Sequence, residues 1–200
     1  MADRFPLRAL CLLLCLLGWP LSGAAATPQR IISLTPHLTE LLYDIGAGDR
    51  IVATDDASDF PPEVAPLPRV ANYRSINLEA LLAQKPDLVV AWRSAQSRML
   101  APVEKLGIPV FYSEPTDFAS LATEMRSLGR LLGTQQKADQ QADAYLARLD
   151  ALKRRYGKPK PVLVFYQLWY PPLTSVNDST WPGRAIRLCG GRNIMADASS

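Results

Sequence analysis

Apolar residues recur along this chain in two rhythms, short runs and helical spacings, and the two alternate. Residues 31–34 form a short apolar run beside turn residues, and Pro36 then permits a helix with His37 in its first turn. Leu38, Leu41, Leu42 and Ile45 recur at helical spacing until Gly46-Ala-Gly48 ends the helix. Residues 51–54 predict the next strand. Asp55, Asp56 and Asp59, together with Pro61, Pro62, Pro66 and Pro68, then predict a long loop without regular elements, a kind of segment that is usually functional. Asn77 suits the N-cap of a helix carrying Leu78, Leu81 and Leu82. Lys85-Pro86-Asp87 turns the chain into a strand over 88–91, with Trp92 just past its carboxyl end. A helix over about 97–106 and a strand over 110–112 complete a third unit. Such alternation predicts an α/β fold, a parallel sheet covered by helices.

From Asp117 the rhythm changes. Leu121, Met125, Leu128 and Leu132 predict one helix, and residues 135–156 predict a second of roughly six turns at 3.6 residues each. The second is highly charged, and its apolar stripe of Ala138, Ala142, Tyr145, Leu149 and Leu152 is narrow. It reads either as a surface helix or as a connector between two lobes, since Lys158-Pro-Lys-Pro161 leads into a new strand over 162–168. The predicted division is a leader over 1–26, an α/β lobe over 27–133, a linking helix over 134–157 and the start of a second lobe over 158–200.

The leader changes the chemical picture. Arg4 and Arg8 precede an apolar run over 9–21 that is followed by Ala24-Ala25-Ala26, the pattern of a cleaved secretory signal peptide. The run is too short to span a bilayer. Cys11 and Cys15 leave with it, so an exported chain keeps one thiol, Cys189, which is either a buried structural residue or one half of a missing pair. Losing Arg4, Arg8 and Asp3 lowers the formal charge only from +3 to +2, which supplies no reason to invoke nucleic acid or an anionic membrane.

Candidate chemistry is sparse for an enzyme. No nucleophile elbow, phosphate loop or metalloprotease motif is present, and Gly46-x-Gly48 follows a helix, the wrong context for a dinucleotide. Ser33 near His37 is a weak pairing without a third group. His37 is the single histidine and lacks companions for a transition metal, and Asp55, Asp56 and Asp59 read as solvated loop acids. Aromatic residues, by contrast, gather after strand ends: Tyr73 and Trp92, then Trp169, Tyr170 and Trp181. In open parallel sheets that is where ligands bind.

Taken in order, Ser33-Leu-Thr-Pro-His-Leu-Thr-Glu40, Gly46-Ala-Gly-Asp-Arg50, Ser58-Asp-Phe-Pro-Pro62, Asn77-Leu-Glu79, Lys85-Pro-Asp-Leu-Val-Val-Ala-Trp92 and Cys189-Gly-Gly-x-Asn193 resemble the iron-siderophore and cobalamin class of periplasmic substrate-binding proteins. Within that class the pattern is similar to the cobalamin (vitamin B12) binders of bacterial ABC importers. The resemblance implies two α/β lobes joined by one long helix, a corrinoid held in the cleft as transported ligand rather than cofactor, and no enzymatic activity. It implies as partners an inner-membrane ABC permease and its ATPase, with the chain a monomer. By match to the family pattern, Pro36, His37, Tyr73, Trp92 and Leu173 fall at the cleft, with Trp169 and Tyr170 beside them. Ala57 stands where the family carries an aromatic, removing one stacking surface. Haem-binding relatives ligate iron through a Tyr close to Tyr73, so haem is the rival ligand, with iron-siderophore as a further alternative and a redox enzyme on a related scaffold as a third. Glu79 resembles the family's permease-docking glutamate, and Cys189 looks like half of a disulfide whose partner would lie beyond Ser200.

Overall fold

A computed structural model describes residues 26–157 and 160–199. The leader expected over 1–26 therefore lies outside the described residues, Ala26 excepted. Five strands form one parallel sheet: β1 (Ile31–Ser33), β2 (Ile51–Asp55), β3 (Arg69–Ala71), β4 (Leu88–Trp92) and β5 (Val110–Ser113), in the order β3-β2-β1-β4-β5. Helices α1 (Pro36–Asp44), α2 (Leu78–Ala83), α3 (Arg93–Lys105) and α4 (Phe118–Leu131) supply crossovers and cover. Ile31 and Ile32 of β1 point to opposite faces, so one packs with Leu38, Leu42 and Leu128 and the other with Val70, Leu81 and Leu100. Sheet and helices thus make the α/β architecture that the alternation predicts.

Several expectations are corrected. The segment after Thr54 is not wholly irregular: β2 runs through Asp55, a 3-10 turn covers Pro62–Val64, and β3 follows Pro68. Three residues between a proline and a turn carry too little alternation to read as a strand, and β3 exists because Thr54 and Asp55 offer it an edge. Helix α3 begins at Arg93 rather than near Ser97. Its early start depends on remote partners: Gln96 Oε1 accepts the Trp92 amide at 2.9 Å, and Glu114 from beyond β5 accepts the Ser94 amide at 2.7 Å.

Helix α5 (Gln135–Tyr156) has the predicted bounds. Ala138 and Ala142 are its buried anchors, and Ala138 meets α4 at Gly129, where an added Cβ would lie 2.2 Å from the alanine methyl. The C-terminal half leaves that support and leads to a two-stranded parallel sheet of β6 (Val162–Val164) and β7 (Gly191–Asn193), preceded by α6 (Trp181–Leu188). The predicted strand over 162–168 stops at Val164, because β7 offers only three partners. The chain instead folds back, with reciprocal backbone bonds between Trp169 and Thr174. Cys189 is exposed and free, not a buried structural thiol.

Gly129→Ala tests the α4–α5 notch. In an unhindered helix that change gains about 1 kcal/mol from propensity, whereas overpacking costs about 1–3 kcal/mol, so a lower melting temperature is expected. A raised one would show that the helices do not approach this closely.

Candidate functional site

The chain runs outward from β1 in both directions, to β2 and β3 on one side and to β4 and β5 on the other. A crevice opens at the carboxyl ends where the order reverses, between β1 and β4. Along that edge the loops place Tyr73 after β3, Ala57 after β2, Pro36 and His37 after β1 and Trp92 at the end of β4. At about 4.8 Å per strand, Tyr73 and Trp92 belong to strands roughly 14 Å apart.

Each rim residue is held locally. Pro36 occupies the first position of α1, where a missing N–H costs nothing. His37 meets Trp92 edge to face, with ring centroids 6.1 Å apart and planes at 84°. Gln96 holds the Trp92 backbone and also donates to Leu34 O at 2.8 Å, tying the two sides of the crevice together. Asn72 Oδ1 accepts the amides of Arg74 and Ser75 at 2.8 and 2.9 Å, shaping the turn that presents Tyr73. That tyrosine is 80% exposed, with the Arg74 guanidinium 5.0 Å from its ring centroid. Glu79 lies exposed in the first turn of α2, which Asn77 caps through the Ala80 amide at 3.0 Å.

The structure does not gather all the expected residues. Trp169, Tyr170 and Leu173 stand on the exposed turn of the second lobe, Trp169 with 66% of its surface open. His37 and Trp92 do come together, at the mouth of a cavity of about 730 Å³ that reaches past Glu40 and Tyr145 to Arg148 and Trp181. Its size suits a small-molecule ligand. Trp181, one of the aromatics that the sequence reading places at a binding surface, lines the cavity and packs edge to face on Phe118 at 5.3 Å. Tyr145 and Arg148 went unrecognised, although His37, Glu40, Leu41 and Asp44 recur at one-face spacing and that stripe could have indicated the cavity wall.

Two expected chemistries change on inspection. Asp55 is not a solvated loop acid: it is buried at the end of β2 and receives the Ser58 hydroxyl. Ser33 does not reach His37 but lies 2.8 Å from Thr39 Oγ1. Among the described residues no group of three His, Cys, Asp or Glu side chains stands together as a metal site. Loss of hydration lowers the His37 pKa, and the Asp55 charge pulls weakly the other way.

A crevice at the strand-order reversal, with Tyr73 and Trp92 on its edge, and a cavity running from His37 and Trp92 to Trp181 of α6 form an arrangement suited to holding a ligand. Residues 31–200 match the family described as periplasmic binding protein, and the chain belongs to it. Vitamin B12-binding proteins of Vibrio campbellii and Yersinia pseudotuberculosis are 36% and 38% identical over 97% and 96% of this chain, which spans 71% and 68% of theirs. The crystal structure of the periplasmic vitamin B12-binding protein of Vibrio cholerae superposes with a TM-score of 0.78 at 36% identity, covering 87% of this chain and 69% of that one. A periplasmic heme-binding protein of Roseiflexus follows at 0.72 and 27%, covering 86% and 68%.

As the only histidine in the sequence, His37 can be titrated unambiguously by proton NMR. Its midpoint is expected below the ordinary imidazole value, and Asp55→Asn should lower it further by removing a charge that favours the imidazolium. Since the unfolded chain then binds the proton more readily, the His37 contribution to stability is present above the ordinary value and lessens as pH falls towards the depressed one, and it is small because the side chain is exposed at the rim. A midpoint at or above the ordinary value would contradict the packing described.

Proposed function

We propose that this chain captures a corrinoid, vitamin B12 or a close relative, in the periplasm and delivers it to an ABC permease. The observation that carries the reading is the identity to vitamin B12-binding proteins across almost the whole chain, spanning the crevice and every rim loop. The geometry supports it: a flat ligand can lie across the rim from Tyr73 to Trp92, over the small Ala57 and the His37 edge. Leaving one aromatic out at Ala57 widens the floor without removing the two ends. Pro36, His37, Ala57, Tyr73 and Trp92 form the first wall, and Trp169, Tyr170 and Leu173 belong to a facing second lobe. Lobes over 27–133 and 158–200 are then joined by residues 134–157. The protein acts without catalysis, as a monomer, with Glu79 docking on the permease that its ATPase drives, and Cys189 pairs with a second cysteine outside this sequence.

A haem ligand is the second reading. It is favoured by the exposure of Tyr73, whose hydroxyl is free to approach an iron, and by the 27% identity to a periplasmic heme-binding protein.

Isothermal titration decides between them. Cyanocobalamin should bind with one-to-one stoichiometry, and Trp92→Ala should cost about 2 kcal/mol, some thirtyfold in Kd. No binding of cyanocobalamin, together with a haem Soret shift that Tyr73→Phe abolishes, would replace the corrinoid by haem.

A further inference from the structure

The core is apolar on both faces of the first sheet except directly beneath the rim, where a chain of buried polar groups crosses from strand to helix. Asp55, the last residue of β2, is 6% exposed. One of its oxygens accepts the Ser58 hydroxyl and the other the Ala57 amide at 3.2 Å. Ser58 Oγ lies 2.9 Å from Thr39 Oγ1 in α1, which lies 2.8 Å from Ser33 Oγ in β1. All three hydroxyl residues are wholly buried. A carboxylate only accepts, so the Ser58 proton is committed to Asp55, and the one proton of the Thr39 hydroxyl is shared among Ser33 Oγ, Thr35 O at 3.1 Å and Ser58 Oγ, satisfying one of them at a time. Arg69, at the head of β3, closes the arrangement from the other side. Its guanidinium donates to Thr54 Oγ1, to Asp55 O at 3.1 Å, to Ser58 O at 2.7 Å and to Val64 O at 3.3 Å.

Taking a carboxylate and three hydroxyls out of water is unfavourable unless each is paired, and apolar side chains would fill the same space more simply. The location explains their presence. They join segments that the strand ladder does not hold together: the end of β2, the loop over 56–68 and the first turns of α1. Those segments carry Ala57 and His37.

We infer that Asp55, acting through Ser58 and Thr39, is a positioning residue for the ligand rim. The hydroxyl chain holds the 56–68 loop and the start of α1 in the arrangement a flat ligand meets, so the ordering cost of binding is met before the ligand arrives. Asp55 and Thr39 need not touch the ligand. The inference rests on the corrinoid reading only for the choice of ligand.

Thr39→Val keeps the volume and removes the central hydroxyl, while Thr39→Ser restores it. The comparison is Leu100→Ala, a wholly buried residue of the opposite core face, which loses stability without touching the chain. Thr39→Val is expected to raise the Kd for cyanocobalamin by about tenfold or more and to speed hydrogen exchange at the amides of 56–60 in the ligand-free protein. Thr39→Ser should stay within about twofold of the original affinity, and Leu100→Ala should lower the melting temperature with neither effect. Wild-type affinity and exchange in Thr39→Val would overturn the inference, as would equal weakening by Leu100→Ala at the same loss of melting temperature. Should Thr39→Val not fold, Ser58→Ala carries the same expectations. If the unmodified protein fails to bind cyanocobalamin, the corrinoid reading falls, and the exchange comparison, which needs no ligand, still decides whether the chain positions the rim.

Discussion

Parallel strands cannot be joined by tight turns, and their crossovers share one handedness. In this chain both constraints meet at β1, three buried residues paired on one edge with β2 and on the other with β4. Because the chain leaves β1 in one direction and later returns to its opposite edge, the loops after β1 and β4 must diverge. The gap between them is where His37 and Trp92 face each other. A site at this place is therefore a consequence of strand order before any side chain is chosen. What the side chains add is the lining: an imidazole edge, an indole and, across the cavity, Trp181.

The second constraint is how far the supporting layer extends. Helix α5 meets α4 closely at Ala138 against Gly129, and Ala142 is buried one turn further on. Beyond that contact it carries charge on most of its surface and leads to the second sheet. That sheet has two strands, with Val162, Leu163, Phe165 and Leu168 left exposed around it. Aromatic packing of Trp181 on Phe118 then supplies a tie between the second unit and the first at the side of the cavity. The cavity is thus bounded by residues of α5 and by the edge-to-face contact of Trp181 on Phe118.

Much of this was legible in the chain. The apolar spacing of Leu38, Leu41, Leu42 and Ile45 and the sparse stripe of α5 identified both helices, in the second case to its terminal residues. Of the aromatics read after strand ends, Trp92 lines the cavity and Tyr73 stands exposed on the loop after β3. The site's depth was less legible. Residues such as Tyr145 and Arg148 lie on a helix that looks solvated when read alone, and only the approach of α1 turns that face into a cavity wall. Asp55 misled for the opposite reason: an acid among prolines and acids reads as solvated, yet Ser58 and the end of β2 enclose it.

The sequence by itself determined the period of α1, α2, α4 and α5, the Asn77 cap and the alternation of β1, β2, β4 and β5 with their helices, because these depend on neighbours within a turn or two. Tertiary structure decided where α3 starts, through Gln96 and Glu114, and whether β3 is a strand, through the edge offered by β2. It also decided which polar groups are buried. Those outcomes depend on partners dozens of residues away, whose position is set only when the sheet has assembled.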